Sequence, residues 1–118
     1  MNIIIYYINL KKREDRNNKI LKELELIKDI PIKRINAIDK DDLDKNKLIK
    51  NKYITNKTEL RLGQIACILS HMKTWKEFIN SDYDYCIILE DDIKINKPYF
   101  NKSFYNILNK LNNIDFDW

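Results

Sequence analysis

The sequence predicts an α/β fold with three layers built around a mostly parallel sheet. Three observations point there. Short apolar, β-prone runs recur at Ile3–Ile8, Ile32–Ile35 and Tyr85–Leu89. Amphipathic helical stretches separate them, and the first run is apolar along its whole length, as in a strand covered on both faces.

Each element follows from local pattern. Ile3 to Ile8 reads as strand one, and Lys11-Lys12-Arg13-Glu14-Asp15-Arg16 as a polar connection. A helix is expected from about Asp15 to Lys28, with Ile20, Leu21, Leu24 and Ile27 on one face. Pro31 blocks its continuation, and Ile32 to Ile35 forms strand two. Asp39 to Lys57, charged and Asn-rich, is expected to be a long loop with one weak helical turn. From Leu62 to Ile79 a strong helical period puts Leu62, Ile65, Ala66, Leu69, Met72 and Ile79 at core spacing. Tyr85 to Leu89 is the central strand. Asn96 is placed to cap a helix that opens with Pro98 and runs through Phe104, Ile107, Leu108 and Leu111. Asp115-Phe116-Asp117-Trp118 resembles the start of a further strand, so the chain is expected to be one domain, 1–118, incomplete at its carboxyl end. Right-handed crossovers are expected between the parallel strands.

Composition narrows the function. The 118 residues suffice for one compact domain, and 44% hydrophobic content supports a packed core. A net charge of +4 is the difference between 22 basic and 18 acidic residues spread along the chain, a solvated surface rather than a nucleic-acid footprint. Cys67 and Cys86 have neither the number nor the spacing of a disulfide framework or zinc motif, and both are expected to be buried free thiols. The apolar amino terminus lacks a basic flank and is too short to span a bilayer, so an intracellular, cytoplasmic protein without a transmembrane segment is expected.

The most informative stretch is Tyr85-Cys-Ile-Ile-Leu-Glu-Asp-Asp-Ile-Lys-Ile95, a strand ending in Glu90, Asp91 and Asp92. Adjacent carboxylates at the carboxyl end of a strand suit a hard divalent cation beside a phosphorylated ligand; the plainer alternative is a solvated turn. Gly63 is the single glycine, which excludes a G-x-G-x-x-G fingerprint and a P-loop. A nucleotide would have to be held by side chains and a metal. A phosphoacceptor receiver or an aspartyl phosphatase needs acids just after strand one, where this chain has Asn9-Leu10-Lys11-Lys12.

Three ordered segments do fit one family. Tyr7-Ile8-Asn9-Leu10-Lys11-Lys12-Arg13-Glu14-Asp15-Arg16 resembles the I-N-L-x-x-R-x-x-R opening of glycosyltransferase family 25. Gly63-Gln64-Ile65-Ala66-Cys67-Ile68-Leu69-Ser70-His71 resembles its G-E-x-x-C-x-x-S-H helix, with Gln64 where the family usually has Glu. Ile87-Ile88-Leu89-Glu90-Asp91-Asp92 resembles its strand ending in E-D-D, and Ala37-Ile38-Asp39 its A-x-D segment. The resemblance implies a Rossmann-like GT-A fold and its nucleotide-sugar-binding half. It also implies a UDP-sugar donor carrying galactose or glucose, a glycan, lipooligosaccharide or protein acceptor, a divalent cation (Mn²⁺, with Mg²⁺ as the alternative), and inverting transfer.

Under that resemblance Asp92 is the expected metal ligand. Glu90 is a second ligand or a contact to ribose or metal-bound water, and Asp91 is a support, itself a second ligand, or an ordinary solvated or helix-facing acid. Alternation along an extended strand would put Glu90 and Asp92 on one face. Asn9 and the Leu10 backbone are expected to meet the base or ribose. Arg13 and Arg16, three apart, suit phosphate or uracil, or are plain surface charge. His71, the one histidine, either bonds the donor or orients the acids, or is structural; Ser70 either joins it or bonds its own helix. Trp75 and Phe78 are expected to be core or subunit contacts. No residue is assigned as general base. The competing expectation is an inactive GT-A-like binding domain that presents basic residues between Lys45 and Lys57. Self-association through a sheet edge near Phe116–Trp118 is also expected if the core is incomplete.

Overall fold

A computed structural model describes residues 2–114, and the expected strand and sheet edge at Asp115–Trp118 lie outside the described residues. Three parallel strands form one sheet in the order β2-β1-β3: β1 (Ile3–Asn9) is central, β2 (Ile32–Asn36) and β3 (Tyr85–Glu90) flank it. Register pairs Ile8 with Ile35 on one side and with Glu90 on the other. The strand ends of all three therefore lie level. The helices are α1 (Glu14–Leu24), α2 (Lys45–Lys50), α3 (Leu62–Ile79) and α4 (Lys97–Leu111).

Alternation along β1 builds the three layers. Ile5 and Tyr7 point to one face and pack with Ile20, Leu24 and Ile27 of the α1 region, with Phe100 and Phe104 of α4 added at the edge. Ile4, Tyr6 and Ile8 point to the other face and pack with Ile35, Phe78, Tyr83 and Ile88. Ile5 of β1 is fully buried, as a central parallel strand requires, and so is Ile20 of the α1 helix packed over it. Because α1 and α3 lie on opposite faces while β2 and β3 lie on opposite sides of β1, the two crossovers share one hand. That reversal of direction beside β1 is a topological switch point.

Several expectations need correction. α1 ends at Leu24, not near Lys28, because Leu26 and Ile27 bond back three residues and Asp29 adopts φ 63, a left-handed conformation that ends helices. Ile27 remains buried, but Leu21 is exposed. In α3 the buried stripe is Ile65, Ala66, Ser70 and Thr74, whereas Met72 and Ile79 face solvent. Small side chains turn to the sheet, and their hydroxyls are satisfied within the helix: Ser70 Oγ donates to the Ala66 carbonyl at 2.7 Å and Thr74 Oγ1 to the Ser70 carbonyl at 2.9 Å. Phe78 joins the core while Trp75 is exposed. Cys67 and Cys86 are free, but Cys67 is exposed and Cys86 only partly covered.

The segment after β2 holds more structure than one weak turn. Asp39 accepts from the Asp41 amide to cap a 3-10 turn at Lys40–Asp42, and Asp44 accepts from Asn46 and Lys47 to cap α2. Asn96 occupies the N-cap position of α4 without a side-chain bond, and Pro98 lies in the first turn. In α4, Phe100 and Phe104 stack at 4.8 Å, and Ile107 is exposed. Among the described residues no helix is long and apolar enough to cross a membrane.

Candidate functional site

A cavity of about 420 Å³ opens at the carboxyl ends of β1 and β3, the switch point of the sheet. Leu10, Lys12, Arg13 and Arg16 form one wall, Ala37–Lys40 a second, the first half of α3 a third, and Glu90, Asp91 and Asp92 a fourth. Of the residues singled out from sequence, Leu10, Arg13, Arg16, Ser70, His71, Glu90, Asp91 and Asp92 all line this one cavity. Residues up to 82 positions apart are brought together because β1 and β3 are parallel and in register.

Asn9 is the exception: it is 1% exposed and stands behind the wall. Its Nδ2 donates to Asp91 Oδ2 at 2.7 Å and to the Arg13 carbonyl at 3.3 Å. Its Oδ1 accepts from an Arg34 terminal nitrogen at 2.5 Å. Both ends of the amide are spent inside the protein, so Asn9 fixes Asp91 and the start of α1 in place. Arg34 continues the chain of contacts to Glu14 at 3.9 Å, and its buried Nε has no partner.

The three acids have different surroundings. β3 ends at Glu90, so extended alternation does not continue through Asp91 and Asp92. Asp91 turns inward, with Arg16 Nε at 3.3 Å from Oδ1 and a side chain only 12% exposed. Asp92 is 60% exposed, with Arg16 at 3.8 Å. Glu90 leans toward α3: Oε1 lies 3.1 Å from His71 Nε2 and accepts from Cys67 Sγ at 3.6 Å. Cys67 and His71 are one helical turn apart, which puts both beside the same carboxylate. Burial, then the Glu90 charge and hydrogen bond, push the Cys67 thiol up from its ordinary value.

The basic wall is already partnered. Arg13 forms a two-pronged contact with Asp15 at 2.9 Å for each prong, which holds the Asp15 carboxyl down to about 2. Lys12 lies 2.6 Å from Asp39 and 3.3 Å from Asp41. The Lys12 hydrogen bond, then the Asp41 amide, lower the Asp39 pKa, and the same contact raises that of Lys12. These are surface pairs that solvent screens, so an incoming phosphate can compete for the cations at small cost. Ser70 Oγ accepts from the Ile38 amide at 2.9 Å, which pins the Ala37–Asp39 segment to α3.

Lys12, Asp39 and Cys67 belong to the site although sequence reasoning assigned them no role there. Lys12 looked like one of several connecting lysines, and Cys67 looked like core. Asp39 stood in the recognised Ala37-Ile38-Asp39 segment, and that was the available signal. Arg34, beneath the site, carried no signal in a short polar-apolar strand.

The model of the family described as glycosyltransferase family 25 (LPS biosynthesis protein) matches residues 2–118. Procollagen galactosyltransferase 2 of Homo sapiens is 28% identical over 97% of the chain, and a glycosyltransferase 25 family member of Anopheles gambiae is 29% identical over 88% of it. Procollagen galactosyltransferase 1 of Danio rerio is 25% identical over 97% of the chain. The chain spans 19% of the human and mosquito proteins and 20% of the zebrafish one. With its three motifs gathered around one cavity at the sheet's switch point, this chain belongs to glycosyltransferase family 25.

Proposed function

We propose that the cavity holds the nucleoside diphosphate of a UDP-sugar, and that residues 1–118 are the donor-binding part of a GT-A-like glycosyltransferase domain. The reaction would move galactose or glucose to a hydroxyl of a glycan, lipooligosaccharide or protein with inversion. The observation that carries this reading is the meeting of the Glu90, Asp91 and Asp92 carboxylates with the cationic side chains of Lys12, Arg13 and Arg16 around one cavity at the switch point. Acids and bases on facing walls suit a phosphorylated ligand bound together with a cation.

The donor set fits a hard divalent cation, Mn²⁺ or Mg²⁺. Asp91 is committed to Asn9 and Arg16, whereas Asp92 is 60% exposed and Glu90 51% exposed, so both have oxygens free for a metal. One or two carboxylates plus substrate phosphates are the usual way such ions are held. The cation, when bound, neutralises charge growing on the departing diphosphate. Asp92 and Glu90 would hold it, Arg13 and Arg16 would steady the phosphates, and the Leu10 backbone would meet the base or ribose. Asn9 acts as a positioning residue by locking Asp91, and Ser70 by locking Ala37–Asp39. In the transfer, the acceptor oxygen bonds to the anomeric carbon, the bond to the diphosphate breaks, and the acceptor proton passes to a base that no described residue is assigned to be. A cytoplasmic setting belongs to this reading and is supported by the two free thiols.

Calorimetric titration of the chain with UDP in Mn²⁺ tests it. Binding that needs the metal and weakens about 100-fold or more in Asp92→Ala is expected, since even outer-sphere partners of a metal are worth 10–100-fold. Metal-independent binding, or equal binding by the variant, would sink the assignment.

A further inference from the structure

The side of the cavity formed by α3 carries a donor set unlike the oxygen cluster. Cys67, His71 and Glu90 each offer one ligand atom, and these atoms all lie within 4.8 Å of one another. We propose that they form a separate site for a borderline-soft divalent cation, zinc above all, with three protein ligands and an open position facing the cavity.

Geometry supports this directly. Tetrahedral zinc with Zn–N and Zn–O near 2.0 Å and Zn–S near 2.3 Å separates N from O by about 3.3 Å and S from O by about 3.5 Å. The observed separations are 3.1 Å for His71 Nε2 to Glu90 Oε1 and 3.6 Å for Cys67 Sγ to Glu90 Oε1. Two of the three separations therefore match edges of a zinc tetrahedron, and the third, between Cys67 Sγ and His71 Nε2, lies within 4.8 Å, so side-chain rotation alone has to draw that edge in toward about 3.5 Å. Two of them stand at i and i+4 on α3, a rigid helix of 18 residues, and the third ends the strand β3.

Ligand chemistry separates this site from the hard-cation site. Thiolate and imidazole select zinc over magnesium or manganese, whereas Asp92 and phosphate oxygens select the reverse. Cys67 would bind as thiolate, with its proton released to the buffer. Three ligands leave the fourth position to water or to an oxygen of whatever occupies the cavity, the arrangement of zinc sites that do chemistry rather than hold a fold. The site shares Glu90 with the donor-binding reading but does not depend on it, because it is defined without nucleotide.

The test uses the metal-stripped chain with no nucleotide present. Titration with zinc chloride should give one ion per chain, and titration with Co²⁺ as a spectroscopic probe should give a thiolate-to-metal charge-transfer band. Cys67→Ser and His71→Asn should each weaken zinc about 100-fold or more, and Cys67→Ser should abolish the band. Cys86→Ser and Asp92→Ala should keep both. Unchanged zinc affinity in Cys67→Ser, a cobalt spectrum without the thiolate band, or loss of the band in Cys86→Ser would each overturn the proposal. Failure of UDP to bind would count against the donor site and leave these results standing.

Discussion

Truncating Asn9 to alanine tests the account at the joint between fold and site. The side chain is 1% exposed and makes two charge-assisted hydrogen bonds, to Asp91 at 2.7 Å and from Arg34 at 2.5 Å, with a longer one to the Arg13 carbonyl. Bonds to charged groups contribute about 1.5–3 kcal/mol each, so the pair alone sums to about 3–6 kcal/mol. That sum must be discounted. The side chains of Asp91 and Arg34 are 12% and 27% exposed, and water can replace part of what is lost. A loss of about 2–4 kcal/mol is expected from urea unfolding followed by circular dichroism, against about 6–18 kcal/mol of total stability for a chain of this size. The variant should fold. A double-mutant cycle sharpens the test: Asn9→Asp sets two carboxylates against each other, and adding Asp91→Asn restores a donor–acceptor pair. Coupling of at least about 1 kcal/mol is expected. A loss below about 1 kcal/mol in Asn9→Ala, or strict additivity in the cycle, would refute the idea that Asn9 locks Asp91.

Three other outcomes follow from the same packing and contacts. Ile20→Ala, at a fully buried position, should cost about 2–5 kcal/mol, whereas Ile79→Ala, 77% exposed, should stay within about 0.5 kcal/mol by the same measurement. Ser70→Ala leaves the Ile38 amide without its acceptor and should cost about 1–3 kcal/mol, with the largest increase in hydrogen exchange at Ile38; unchanged protection there would contradict the pinning role. Asp15 and Asp39 titrate below their ordinary 3.8 when folded, Asp15 at about 2. Their contribution is therefore complete above 3.8 and fades as pH falls toward the folded values, so Asp15→Asn and Asp39→Asn should flatten the acid limb of urea midpoints measured from about pH 5 to about pH 2. The change should be small because solvent screens both groups, and a steeper acid limb in either variant would contradict it.

Much of the fold was legible because apolar runs are long and local: Ile3–Ile8 announced a strand buried on both faces, and the Leu62–Ile79 period announced a long helix. What misled was the use of hydrophobicity to choose a face. Ser70 and Thr74 satisfy their hydroxyls inside α3 and so pack inward, while Met72 and Ile79 remain outside. The end of α1 was illegible because Asp29 carries its left-handed turn with no glycine or proline at that position. At the site, Leu10, Arg13, Arg16, Ser70, His71, Glu90, Asp91 and Asp92 were readable from three ordered motifs, whereas Lys12, Asp39 and Cys67 were not. The inward turn of Asn9 was not, since only the register of β1 with β2 and β3 brings Arg34 and Asp91 to its two ends. Cys67 was read as core because a thiol on an apolar helix usually is, and only the placement of Glu90 beside it shows otherwise.

The most direct measurement is anomalous diffraction from crystals of the chain grown with UDP and Mn²⁺. A manganese peak is expected about 2.0–2.6 Å from carboxylate oxygens of Asp92 and Glu90, with the diphosphate between it and Arg13 and Arg16. A manganese ion that does not touch Asp92, or a nucleotide bound outside the cavity between β1, β3 and α3, would contradict it.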